Sequence, residues 1–161
     1  MPYLIDGNNL LGSWGGRPMG DAGRAEVVRR VAAFCRRHGA RATIVFDGAP
    51  LRSDQPVQEL GRVGIRTPPP GGDADGVIRE IVAQSARPGE IVVVTSDKPL
   101  YSFVRSRGAT CLRAHEWNAL DRKGAASRPS PSGGEKPERE DDIEGWLARF
   151  GAGGDESGGK G

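Results

Sequence analysis

The sequence predicts an α/β domain in which a mostly parallel sheet is covered by helices on both faces. Three observations lead there. Residues 2–5 (PYLI), 42–46 (ATIVF) and 90–95 (EIVVVT) are short, nearly unbroken apolar runs, as expected of strands buried on both sides. Between them lie stretches with apolar residues at helical spacing, opened by acids and closed by Gly or Pro. The strands also run directly into acids, and open α/β sheets place their chemistry in the crevice beyond the carboxyl ends of their strands.

The first strand ends in Asp6-Gly7-Asn8-Asn9. Residues 10–20 (LLGSWGGRPMG) are rich in Gly and Pro and read as a loop on the same rim, with Trp14 either covering the end of the core or stacking on a base. Asp21 is the expected N-cap of a helix through His38, with Val27, Val28, Val31, Phe34 and Cys35 facing inward and Gly39 ending it. Its other face carries Arg24, Arg29, Arg30, Arg36 and Arg37 and reads as a solvated face. After the second strand, Asp47-Gly48-Ala49-Pro50 is an exit turn, and polar residues run to about Gly61.

Residues 62–66 (RVGIR) alternate as an edge strand does. The triple proline at 68–70 and Gly71-Gly72 then lead into a helix from about Asp73, buried through Val77, Ile78, Ile81 and Val82 and stopped at Pro88-Gly89. A central strand follows and ends in Thr95-Ser96-Asp97. Lys98-Pro99 opens a helix to Arg107, residues 109–112 (ATCL) form a last strand, and 115–123 a short helix. The domain is therefore expected over residues 1–123, with a flexible linker at 124–138, a short amphipathic helix at 139–150 around Trp146, and a disordered tail at 151–161. A helix of that length needs a docking surface, on the domain, on a second copy or on a partner.

Composition narrows the function. No apolar run reaches the ~20 residues of a membrane span and the start lacks a signal peptide, so a cytoplasmic location is expected. Cys35 and Cys111 fit reduced core positions. Residues 135–161 hold four basic and eight acidic side chains, leaving 19 basic against 13 acidic in the first 134, of which 17 are Arg. That surplus suits a polyanionic partner or reflects a preference for Arg.

Asp6, Asp47, Asp75 and Asp97 are carried to one rim by four separate segments. Like charges so placed call for a counter-ion, and an all-oxygen donor set suits Mg²⁺ or Mn²⁺. Two scattered His and two Cys offer no zinc spacing. A cation there would favour hydrolysis of a phosphodiester. Asn9 would position water or phosphate and Ser96 would bind a carboxylate or phosphate, unless both are turn residues; Asp73 is either a further ligand or a helix cap.

Taken in order, Asp6-Gly7-x-Asn9, Phe46-Asp47, Ala74-Asp75 and Thr95-Ser96-Asp97 resemble the NYN domain of the PIN-like nuclease superfamily, in its bacterial YacP-like branch. The resemblance covers about residues 1–120. It implies a PIN-like three-layer α/β/α sandwich and a metal-dependent ribonuclease, an endoribonuclease acting on RNA. It further implies Asp6, Asp75 and Asp97 as catalytic metal ligands, with Asn9 and Asp47 in support. Asp73 departs from the branch's pattern. Candidate RNA contacts around the rim are Trp14, Arg17, Arg52, Arg66 and Lys98.

Two other classes compete. One is a non-catalytic RNA-binding PIN-like module. The other is an aspartyl-phosphate phosphatase or receiver-like domain, disfavoured because Asn8 stands where a second acid is needed and Arg113, not Lys, follows the last strand. No glycine-rich nucleotide motif is present.

Overall fold

A computed structural model describes residues 2–15, 20–48 and 57–126. Among these residues the sheet has six strands in the order β3-β4-β2-β1-β5-β6. These are β1 (Pro2–Asp6), β2 (Arg41–Val45), β3 (Val57–Leu60), β4 (Val63–Arg66), β5 (Val92–Val94) and β6 (Thr110–Leu112). Five are parallel and only β3 runs antiparallel, against β4.

Strand alternation divides the core into two layers. Ile5, Ile44, Phe46, Ile65 and Val94 face α1 (Gly7–Gly12), α2 (Asp21–His38) and α5 (Ala114–Ala126). Leu4, Val45, Val93 and Cys111 face α3 (Ala74–Gln84) and α4 (Lys98–Ser106). The first layer is aromatic: Phe34 meets Tyr3 edge-on at 5.2 Å, with Trp117 at 4.9 Å and His38 at 4.3 Å between ring centroids. The second is mainly Ile, Val, Leu and Ala, with Tyr101 and Phe103 at its margin, and both cysteines are buried and unpaired.

Several expectations change. Residues 10–12, expected to open a loop, instead complete α1 (Gly7–Gly12), because the Asp6 carboxylate caps the turn and Leu10 and Leu11 are fully buried. Residues 57–60 form β3, so the strand at Val63–Arg66 is not the sheet edge; it lies between β3 and β2 with Val63, Gly64 and Ile65 buried. The N-cap of α2 is Gly20, and Asp21 is its first helical residue. The arginine face of α2 is not simply solvated: Arg24 is buried against Phe46, Arg30 lies 4.2 Å over the Trp14 ring, and Arg37 pairs with Asp121. The last helix also extends to Ala126, past the expected Lys123. Arg17, Arg52, the linker from 127 onward, the Trp146 helix and the tail lie outside the described residues.

Candidate active site

All parallel strands end on one rim, and residue parity decides which side chains meet there. Asp6 shares the face of Leu4, and Thr95 the face of Val93, so both point toward the α3–α4 layer. The Thr95 hydroxyl, fully buried, donates to Asp6 Oδ2 at 3.4 Å and accepts from the Asp97 amide at 3.2 Å. A single hydroxyl thus links the ends of β1 and β5.

Gly7 lets α1 begin at once after Asp6. A Cβ there would lie 2.4 Å from the Phe46 ring, so only glycine allows this close approach. The turn it starts carries two amides that tie neighbouring strand exits to β1. Asn8 Oδ1 accepts from the Asp47 amide at 2.9 Å, and Asn9 Oδ1 accepts from the Ser96 amide at 2.8 Å. Ser96 Oγ in turn accepts from the Ala114 amide at 3.0 Å, joining the exits of β5 and β6. Asn9 and Ser96 therefore act here as ties between loops.

The acids differ in what holds them. Asp47 Oδ1 accepts from the Ala74 amide at 2.7 Å, fixing the start of α3, and Arg24 donates to the Asp47 carbonyl. Asp73 caps α3 through the Gly76 amide at 2.8 Å, and Asp97 caps α4 through the Leu100 amide at 3.0 Å. Asp75 is paired through Oδ2 with Arg79 Nε at 2.8 Å, and its Oδ1 is buried without a hydrogen-bond partner. The Asp6 carboxyl is pushed up from 3.8 to about 6: burial is the largest cause, the charges of Asp47 and Asp75 act in the same direction, and the Asn9 amide and Thr95 hydroxyl act against it.

The structure therefore brings Asp6, Asp47 and Asp75 within electrostatic reach of one another and connects Asp97 to Asp6 through Thr95. Asp73 is turned to its cap. Asn8, Thr95 and Arg24 organise the rim although the sequence does not single them out for that role; the adjacent amides after Asp6 are the available signal for Asn8.

Among the described residues no three His, Cys, Asp or Glu side chains already converge as a coordination shell. An orphaned buried carboxylate oxygen on Asp75 and a crowded, desolvated Asp6 nonetheless fit a hard cation. Mg²⁺ is commonly held by one or two carboxylates with water and substrate phosphate completing the shell. Trp14 is half-buried, its Nε1 bonded to Asn118 Oδ1 at 2.8 Å; Lys98 is exposed at the start of α4, and Arg66 is half-buried at the end of β4. No helix among the described residues is long and apolar enough to cross a membrane.

The model of the YacP-like NYN domain family matches residues 3–140. The fold is similar to the crystal structure of Rae1 (YacP) from Bacillus subtilis, with a TM-score of 0.65 at 20% identity over 95% of this chain and 85% of that one. Its W164L mutant gives 0.66 at 19% identity over 94% and 96%. No curated protein sequence matches this chain.

Proposed function

The chain belongs to the YacP-like NYN domain family, a nuclease-type family, and from that premise we propose that it is a metal-dependent endoribonuclease cutting RNA phosphodiester bonds at the rim of Asp6, Asp75 and Asp97. The observation that carries the reading is the desolvated Asp6 carboxylate, raised by Asp47 and Asp75, beside the unpartnered Asp75 Oδ1.

Asp6 and Asp75 would hold Mg²⁺ or Mn²⁺, with Asp97 on the far side of Thr95. When bound, the ion supplies a nucleophile at neutral pH and neutralises phosphate charge. The chain's own groups do the positioning. Thr95 fixes the Asp6 carboxylate, Asn8 and Asn9 hold the flanking exits, and Arg79 fixes one Asp75 oxygen while the other has no protein partner. Arg66 and Lys98, at strand and helix ends of the same rim, are suited to meeting the RNA backbone, with Trp14, Arg17 and Arg52 as further contacts. The helix around Trp146 is proposed to dock on a partner or on a second copy, and a cytoplasmic site of action accords with an RNA substrate.

The test is incubation of labelled single-stranded RNA with the protein, with and without Mn²⁺ or Mg²⁺, beside Asp6→Asn and Asp97→Asn. Metal-dependent cleavage by the wild type, lost in both folded variants, is expected. RNA binding that survives both substitutions, with no cleavage by any form, would favour the non-catalytic module.

A further inference from the structure

The β6 edge holds a cluster that the proposed chemistry does not use. Residues 98–113 contain no acid, and two of their arginines meet on one ring. Arg113, just past β6, places its guanidinium carbon 4.4 Å from the Tyr101 ring centroid. Arg105, one turn along α4, lies 5.8 Å from the same ring, and its Nη1 donates to Tyr101 Oη at 3.4 Å. Among the described residues neither guanidinium has an acidic partner, whereas Arg29, Arg37, Arg79 and Arg87 each do.

An aromatic face orients a guanidinium fork and leaves its N–H edges free for an anion. Both cations lie against the same ring, and a phosphate reached by both would be held by two positive charges. The cluster has a fixed place relative to the acids. The Tyr101 amide donates to the Asp97 carbonyl at 2.8 Å, so Tyr101 lies one helical turn, about 5.4 Å of rise, from Asp97. The Ala114 amide, next to Arg113, is bonded to Ser96.

We propose that Arg105 and Arg113, gathered by Tyr101, clamp a backbone phosphate of a single RNA strand next to the one presented to the acids. The proposal rests on the ribonuclease reading and adds a strand path to it, from the rim along the α4–β6 edge. Arginine forks bind phosphate bidentately, and an interaction of this kind sets position without reading sequence.

The test titrates the full chain, with EDTA present so that nothing is cut, into a short fluorescently labelled unstructured RNA between about 50 and about 300 mM salt. Four forms are compared with wild type: Arg105→Gln with Arg113→Gln, the same pair changed to Lys, Arg105→Gln alone, and Arg29→Gln as a remote arginine paired with Glu26. The glutamine pair is expected to bind roughly tenfold more weakly at low salt. Its slope of log affinity against log salt should fall by about 0.7 for each phosphate that is no longer neutralised. The lysine pair should keep the slope, and Arg29→Gln should match wild type. Thermal melting checks the fold, and Arg105→Gln alone, at an exposed position, gives a smaller loss of the same kind if the double variant melts early. With Mn²⁺, the glutamine pair should raise KM and leave kcat within about twofold.

Unchanged affinity and slope in the glutamine pair overturns the clamp; if the wild type still cleaves, the nuclease reading stands. Loss of slope with a wild type that cuts RNA in no metal sustains the clamp and sinks the nuclease reading. A wild type that binds no RNA overturns the clamp.

Discussion

Helix α2 and the α4–β6 edge of this sheet use arginine in different ways. On the α2 side the guanidiniums are absorbed into structure, Arg24 against Phe46 and the Asp47 carbonyl, Arg30 on Trp14, Arg37 on Asp121. On the α4–β6 side the Arg105 and Arg113 guanidiniums lie on Tyr101 with no ion pair among the described residues, the nearby Glu116 carboxylate accepting instead from the Arg113 backbone amide at 2.7 Å. The acids divide in the same sense, since Asp6 shares the α3–α4 face and Asp75 belongs to α3. One layer is a scaffold of aromatic packing, and the other combines an aliphatic core with the polar groups of the rim. A positive residue on a helix is therefore informative about partners only once its own neighbours are known.

Large cuts in each layer should separate the two roles. Trp117→Ala removes a fully buried ring from the scaffold layer and is expected to cost about 3–5 kcal/mol in urea unfolding, while the folded fraction keeps its cleavage rate. Ile78→Ala, on the helix that carries Asp75, is expected to cost about 2–4 kcal/mol and to lower the rate as well. Equal effects on rate from both would break the division.

Asp6→Asn should act in the opposite direction on stability. The folded carboxyl titrates at about 6, above its ordinary 3.8, so the native state binds the proton more tightly than the unfolded chain. The metal-free protein is then unpenalised below about pH 4 and loses stability as pH rises from there to about 6. Above that, Asp6→Asn is expected to stabilise the metal-free fold by roughly 2–3 kcal/mol, with no gain below about pH 4, as read by melting across pH. It should also abolish any rise in melting temperature on adding Mn²⁺.

Smaller effects sharpen the rim. Asn8→Ala removes the side-chain tie to the Asp47 amide and is expected to cost about 0.5–1.5 kcal/mol, with a loss of cleavage rate that exceeds this change in stability. Asp73→Ala should cost about 1 kcal/mol through the missing cap and leave cleavage within about twofold. A loss of rate of about a thousandfold would instead make Asp73 a ligand.

The parts legible in the sequence are those whose cause is local. The apolar runs of β1, β2 and β5 are continuous because both faces are covered, and the acids that end them are read directly from their position. The opening of α4 at Lys98-Pro99 follows the same local rule. α1 is not legible because Gly7 and Gly12 argue against a helix in isolation, and its six residues persist through tertiary burial of Leu10 and Leu11. β3 is hidden in polar sequence; its signal is the two-residue turn Gly61-Arg62, with Gly61 at φ 67°, before the β4 run. The fate of Arg24 is not readable from helical periodicity, which assigns a residue to a face but not the reach of its side chain. Asp73 and Asp75 look alike in sequence, and only the direction of their hydrogen bonds separates cap from rim.

Of the described strands, the one earliest in sequence lies inside the sheet, and this has a consequence for assembly. Tyr3 must wait for Val92 before β1 has its second neighbour. During synthesis, therefore, one flank of β1 stays open until β5 has emerged, and Asp6 has no Thr95 beside it. A chain halted before that point holds the first acid but no closed rim, so the proposed capacity to cut would arise only when the sheet is nearly complete.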